Sequence, residues 1–405
     1  MEPLAHPAGL ERYRALLRTP HARRLFSFSL LARLPIGMTP LALLLLVRET
    51  GAGYGAAGAV SAAYFVAAAI AAPISGRLVD KRGATSVLLP RAILSPGLLL
   101  GVWALAAAGA PLPAIAACAA AAGALLPPIS AALRSLWPRL LDGPELRSSA
   151  YALEASLQEV FFVLGPLLVA VLAAVFEPGA ALAVGALAGA VGTLGFALTG
   201  SVRAYRPEAE RDARGFFGAL EAQGVRTIVL YSACCGLAFG GVEVAIPAFA
   251  EAHGGAELGG IPLALFAGGS LVGGLVAGAR STGHPLRLLR LAAAFLLVAL
   301  VPPLLAGSLP VLSVLVFVAG LPIAPGFAAS YNLIDAVARR GTAAEAFAWI
   351  GTAISTGIAA GIAVGGILID SVSVRAAFGL GLGGAVLAAL LAASGRGLDD
   401  KRPLG

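Results

Sequence analysis

The sequence predicts an all-α membrane protein in which twelve transmembrane helices form two six-helix repeats. Three observations predict it. Hydrophobic residues occupy 59% of the 405 positions and charged residues 12%, about half the ~25% charged share of a soluble chain. Apolar runs of bilayer length, ~20 residues for a helix, recur along the whole chain. Basic residues collect in alternate connections instead of spreading evenly. The net charge of +7 therefore reads as attraction to anionic membrane lipids, not to nucleic acid, and no water-soluble domain fits.

Residues 1–25 read as a cytoplasmic N-tail. It carries Arg12, Arg14, Arg18, Arg23 and Arg24, which makes it too long and too basic for the opening of a signal peptide, so the first span is expected to be retained. Residues 26–200 are expected to form the N-terminal bundle, with spans at roughly 26–47, 55–76, 86–109, 112–133, 149–176 and 179–200. Residues 201–226, containing EAERDAR, interrupt the pattern as a cytoplasmic central loop. Residues 227–394 form the second bundle, with spans at roughly 227–250, 258–279, 287–307, 310–334, 345–369 and 373–394. Residues 395–405 remain as a cytoplasmic C-tail.

Lys and Arg are retained on the cytoplasmic side during insertion. With both termini inside, 24 of the 28 basic residues fall on cytoplasmic segments; Arg48 and Arg375 lie on outer loops, and Arg33 and Arg91 within spans. The chain is thus expected in the cytoplasmic (plasma) membrane. Its halves also align at a shift of roughly 200 residues. Tyr151 then meets Phe347, Leu153 meets Trp349, Gly165 meets Gly361, Pro127 meets Pro325 and Gly37 meets Gly240. Parallel repeats of this kind are expected of transporters that rock two bundles about a midplane site.

Several chemistries are excluded or discounted. Cys118, Cys234 and Cys235 sit in apolar runs with no metal or redox spacing, and His6, His21, His253 and His284 are scattered. No phosphate-binding GxxxxGK[ST] loop occurs. The GLGLGGA run from Gly379 lies inside a span, where small residues serve helix contact. No cofactor, metal or enzymatic activity is expected. Ser61, Tyr331 and Asn332 offer hydrogen bonds either to a solute or between helices.

The most specific signature is GRLVDKRG, Gly76 to Gly83, at the cytoplasmic exit of the second span. It resembles the loop G-x-L-x-D-x-x-G between spans two and three of the major facilitator superfamily, with Gly76, Leu78, Asp80 and Gly83 at the fixed positions and Arg82 as the basic partner. The resemblance implies a cytoplasmic latch in which Asp80 meets a helix start in the second half, and Arg134 as a further gating partner; the plainer alternative is a basic loop that only sets topology. The corresponding GARSTGHPLR from Gly278 has lost the acid. In span five, the family's antiporters carry G-x-x-x-G-P-x-x-G-G. Here Gly165 and Pro166 remain as helix-packing residues while Phe161, Val169 and Ala170 replace the others. That implies a drug/proton-antiporter-like efflux branch on a partial match.

Ionisable residues inside spans are costly and so become site candidates. Arg33, nine residues beyond Arg24, and Glu159, twelve beyond Arg147, reach ~13 and ~18 Å into the bilayer. They are expected to pair, as a proton-coupling site or as a static tie, unless Arg33 snorkels to the interface. Glu154 lies about 140° around the helix from Glu159 and is expected nearer the headgroups. Glu243, seventeen residues past Arg226, lies ~25 Å along span seven as a second coupling candidate or a rim residue. Tyr64 is a candidate solute contact, and Arg91 reads as an interfacial anchor. These residues predict a monomeric secondary transporter that moves a small organic solute by alternating access, with proton-coupled efflux ahead of uniport, import or a non-transporting receptor.

Overall fold

A computed structural model describes residues 10–52, 54–141, 143–204, 218–253, 259–280 and 284–398. The expected N-tail before residue 10, the central-loop residues 205–217 and the C-tail from 399 lie outside the described residues, as does the side chain of Glu159. Helix α1 (Leu10–Arg18) precedes α2 (Pro20–Glu49), α3 (Tyr54–Arg82) and α4 (Ala84–Ala107). The fourth span is broken. α5 (Leu112–Ala124) stops before Pro127 and Pro128, and α6 (Ile129–Leu140) resumes beyond them, because proline lacks the amide proton that would continue the ladder. α7 (Pro144–Val175), α8 (Pro178–Leu198) and the one-turn α9 (Gly200–Arg203) complete the first half.

The second half repeats the plan with α10 (Gln223–Ala252), α11 (Gly260–Ala279) and α12 (Pro285–Ala299). A second broken span follows, α13 (Leu309–Gly320) and α14 (Ile323–Val337), interrupted at Leu321 and Pro322, and then α15 (Ala343–Ser371) and α16 (Val374–Ser394). Among the described residues, eleven helical stretches are long and apolar enough to cross a membrane. The remaining helix, α7, has 32 residues and places its charged residues in the first half and an apolar run, Leu164–Val175, in the second. Large apolar side chains such as Ile93, Val298 and Leu390 project outward, each more than 60% exposed, as a hydrocarbon solvent allows.

Proline starts α2, α7, α8 and α12, where its missing donor costs nothing. Gly83 and Gly143, at φ 84 and 85°, supply the left-handed backbone that turns α3 into α4 and α6 into α7. Both turns lie on the same side of the bundle as the ends of α2 and α16 nearest the chain termini, hereafter the terminal face. Several expected boundaries shift: the first span starts at Pro20 rather than 26 and the fifth at Pro144 rather than 149, while the second ends at Arg82 rather than 76 and the fourth at Leu140 rather than 133.

Within the halves, α2 packs on α7 and α8, and α10 on α15 and α16. Gly37 of α2 meets Gly165 of α7, and Gly240 of α10 meets Gly361 of α15, so closely that a Cβ on either partner would overlap the opposite backbone. These four glycines are the ones the repeat alignment sets opposite one another. Small residues carry such crossings because lipid supplies no hydrophobic drive to hold helices together. The halves meet through α3 with α15, α7 with α11 and α14, and α6 with α14 and α15.

Gly165→Val is expected to force α2 and α7 apart at a cost of at least ~1–3 kcal/mol. It should reduce the monodisperse folded fraction in size-exclusion and thermal-unfolding measurements. Gly366→Val, at a position with nothing within 4 Å of the added carbon, should leave both unchanged.

Candidate functional site

Three charged side chains from three helices converge between the terminal face and the middle of the bundle. Counted from the terminal-face helix ends, Arg134 lies six residues in and Glu154 ten, about 9 and 15 Å by helical rise. Glu154 is 0% exposed, Arg33 2% and Arg134 5%. The Glu154 Oε1 atom accepts from Arg33 Nη2 and lies 3.1 Å from Arg134 Nε, while Trp137 Nε1 donates to Oε2 at 3.2 Å. Phe26 stacks on Trp137 with centroids 4.9 Å apart. The Tyr151 hydroxyl donates to the Arg134 carbonyl at 3.3 Å.

This arrangement corrects two expectations. Arg33 is buried and pairs with Glu154, so it does not snorkel, while the Glu159 side chain lies outside the described residues. Glu154 is not near the headgroups, because α7 begins five residues before the expected start and carries Glu154 into the protein. Arg134 lies inside α6, which runs on to Leu140, and pairs with Glu154. The guanidinium carbon of Arg134 also lies 3.8 Å from the ring centroid of Tyr331 on α14, within cation–π range. Tyr331, Tyr151 and Phe347 form a ring cluster with centroids 6.0–6.2 Å apart, so the charges touch aromatic residues of both halves.

A second constellation clasps the halves at the terminal face. The carboxylate of Asp80, at the end of α3, accepts from the backbone amides of Ala344 at 3.0 Å and Glu345 at 2.8 Å. Those are the second and third residues of α15, where unsatisfied amides and the helix dipole favour an anion. A Cβ at Gly76 would stand 2.5 Å from the Ala344 carbonyl oxygen, so only glycine allows this approach. Arg82 is exposed; Arg77 and Lys81 are the bases within electrostatic reach of Glu345. Gly83 provides the turn that follows.

The remaining candidates fall elsewhere. Glu243 is half-buried on α10, one turn beyond Phe239, which packs edge-on against Phe266 and Phe327. Among the described residues its carboxylate has no ion pair. Tyr64 is buried in a separate hydrophobic cluster of the first half, apart from the cluster that holds Trp137, Tyr151 and Tyr331. Arg91 is buried, not interfacial, and donates to Ser75 Oγ. Pro166 follows the Gly165 crossing inside α7.

The sequence reading missed further ties between the halves. Arg147 pairs with Asp335 at 3.2 Å, Ser149 Oγ donates to the Gly278 carbonyl at 3.1 Å, and Thr352 Oγ1 donates to the Ala69 carbonyl at 2.9 Å. The Tyr13 hydroxyl of α1 donates to the Leu275 carbonyl at 3.0 Å, and burial pushes that phenol up to about 12. The only advance signal was the count of polar residues near the span ends.

The family model described as Major Facilitator Superfamily matches residues 25–304 and 228–404. No match was found among curated proteins. Among solved structures, the chain is similar to a bacterial homologue of the iron transporter ferroportin in an outward-facing state, with 16% identity, 92% of this chain and 98% of that one covered, and a TM-score of 0.76. It is similar to the human organic anion transporter MFSD10 (TETRAN), with 17% identity, coverage of 92% and 99%, and a TM-score of 0.69. It is also similar to the E. coli fucose:proton symporter FucP, with 16% identity, coverage of 93% and 98%, and a TM-score of 0.69. At these identities the likeness is one of fold.

Removing the carboxylate shared by two buried arginines should be severe. Glu154→Ala is expected to cost ~3–5 kcal/mol, the range for breaking a buried pair, and thermal unfolding should show it. Glu243→Ala, which removes a carboxylate without an ion pair among the described residues, should shift the same transition far less.

Proposed function

The chain belongs to the Major Facilitator Superfamily, and on that premise we propose that it is a secondary active transporter exporting a small amphipathic organic solute across the cytoplasmic membrane against proton entry. The observation that carries the reading is the clasp. Asp80 on α15, Arg147 on Asp335, Ser149 on Gly278 and Tyr13 on Leu275 all tie the halves together toward the terminal face. Glycine crossings make each half a compact body. A body closed at one end can open at the other by rocking, and alternation of the two openings moves a solute without a continuous pore.

The distribution of basic residues supports placing the terminal face in the cytoplasm. With that orientation the ties close the cytoplasmic face, and the Arg33–Glu154–Arg134 cluster lies beyond them toward the middle of the bundle. Glu154 is held between two arginines. Glu243 is better suited to carry the proton. Its carboxylate lies in the outer part of α10 without an ion pair among the described residues, and there a proton from outside neutralises a charge that is costly to bury. Protonation then favours the closed outer mouth and the return to an inward opening. The branch-level likeness to drug antiporters rests on Gly165 and Pro166.

Purified protein in proteoliposomes loaded with a panel of amphipathic solutes should show flux that rises with an imposed pH gradient. Glu243→Gln should abolish the gradient effect while sparing solute exchange at equal pH. Flux indifferent to pH would remove the proton step, and no flux of any solute would remove the export reading.

Weakening the clasp should be visible without any substrate. Asp80→Asn is expected to shift the population toward the inward-open state roughly three- to tenfold, the scale of a carboxylate at a helix start. Electron–electron distance measurements between spin labels at Arg139 and Ala336 should then show a longer component.

A further inference from the structure

We infer that the Arg33–Glu154–Arg134 cluster is a binding site for the anionic head of the transported solute, which makes that solute an organic anion with an apolar or aromatic body. The inference rests on the transport reading and deepens it. Its ground is a charge that the protein leaves unbalanced. Two guanidinium groups, each with five N–H donors, are buried against one carboxylate. Glu154 is itself shared with the Trp137 indole. The buried Arg33 Nε has no hydrogen-bond partner. Arginine stays protonated in proteins, so the cluster carries one positive charge in excess of its acid.

Among the described residues, neighbouring acids do not cancel that excess. Asp335 is matched by Arg147, and Asp80 is spent on the amides of α15. What faces Arg134 from α14 is the π face of Tyr331, an attraction worth far less than a counter-ion. A carboxylate, sulfonate or phosphate head would meet the arginine fork in the bidentate geometry for which it is suited.

Access follows from which half supplies each wall. Arg33, Arg134 and Glu154 belong to the first half, but Tyr331, which covers Arg134, belongs to α14 in the second. Relative movement of the halves therefore moves the cover off the cation. Beyond Tyr331, Phe327 stacks on it with centroids 6.4 Å apart, and Phe239 follows. This aromatic wall suits an apolar body trailing from the anionic head.

The test is equilibrium binding with probes matched in body and different in head: benzoate, benzyl alcohol and benzylammonium, with dodecanoate, dodecanol and dodecylammonium as a longer set. Calorimetry and thermal shift are read on the full chain in nanodiscs of neutral phosphatidylcholine. The expected result is that the anion of at least one set binds tenfold or more tightly than its neutral and cationic counterparts, a difference of ~1.4 kcal/mol. Arg33→Gln should remove that preference, and Arg33→Lys should keep part of it. If Arg33→Gln does not fold, the wild-type head-group order and the Lys variant still decide the matter.

Repeating the measurement in nanodiscs containing phosphatidylglycerol separates the two sources of such a head. Unchanged affinity points to a free solute, whereas competition assigns the site to a lipid headgroup and overturns the substrate inference. Equal affinity across the three heads, or an anion preference that survives in Arg33→Gln, also overturns it. Because binding is read without flux, an inference that fails here leaves transport standing, and absent flux with anion-selective binding condemns only the transport reading.

Discussion

A charge inside a bilayer is costly, because hydrocarbon offers no counter-charge, and Glu154 is where this protein partners two of its buried cations. It draws Arg33 from α2 and Arg134 from α6 onto α7 and takes a third donor from Trp137. Three spans are thereby fixed in rotation about their own axes, and the aromatic residues around them acquire their positions. Phe26 lies on Trp137, Tyr151 on the backbone of Arg134, and Tyr331 on the guanidinium itself. Through Tyr331 the electrostatic requirement of one half is written into the surface of the other.

Glycine settles what charge does not. The crossings Gly37 with Gly165 and Gly240 with Gly361 bring backbones into contact at equivalent places in the two halves. The breaks at Pro127–Pro128 and at Leu321–Pro322 bend equivalent spans. Duplication of a packing device is cheaper to maintain than duplication of a charge, since a glycine contact needs no partner of matched chemistry. The repeats accordingly share their crossings and bends while their ionisable residues differ.

The twofold plan was therefore legible in the sequence. Gly37 against Gly240 marks a position where steric need leaves one acceptable residue type, whereas Pro325, set against Pro127 in the sequence, lies inside α14 and the second break falls at Leu321 and Pro322. The Asp80 loop was legible for the same reason, because a short acid beside glycine suits few places other than a helix start. The partner of Arg33 was not. Hydropathy reports depth along a span to within a few residues, but pairing depends on rotation about the axis, and Glu154 and Glu159 differ by over a third of a turn. An error in where α7 begins was enough to favour the wrong acid. Contacts such as Tyr13 with Leu275 were invisible because they require knowing that α1 is a helix and where it lies against the second half.

The two equivalent interfaces between the halves show how one plan acquires a direction. Where α3 meets α15, Gly76 presses on Ala344 and the lock is a carboxylate on helix amides. Where α11 meets α7, Gly278 presses on Ala152 in the same manner, but no acid follows it in the chain. The lock there combines neutral hydrogen bonds, Ser149 to the Gly278 carbonyl and the hydroxyl of Tyr13, a residue outside the repeat altogether, to the Leu275 carbonyl, with the Arg147–Asp335 pair between α7 and α14. A charge-assisted bond is roughly twice as strong as a neutral one, and each side of the interface carries one such tie. Since Arg134 meets Tyr331 close to α7, opening on that side is the movement that uncovers the cation, and the order in which the locks release sets when the charge becomes accessible.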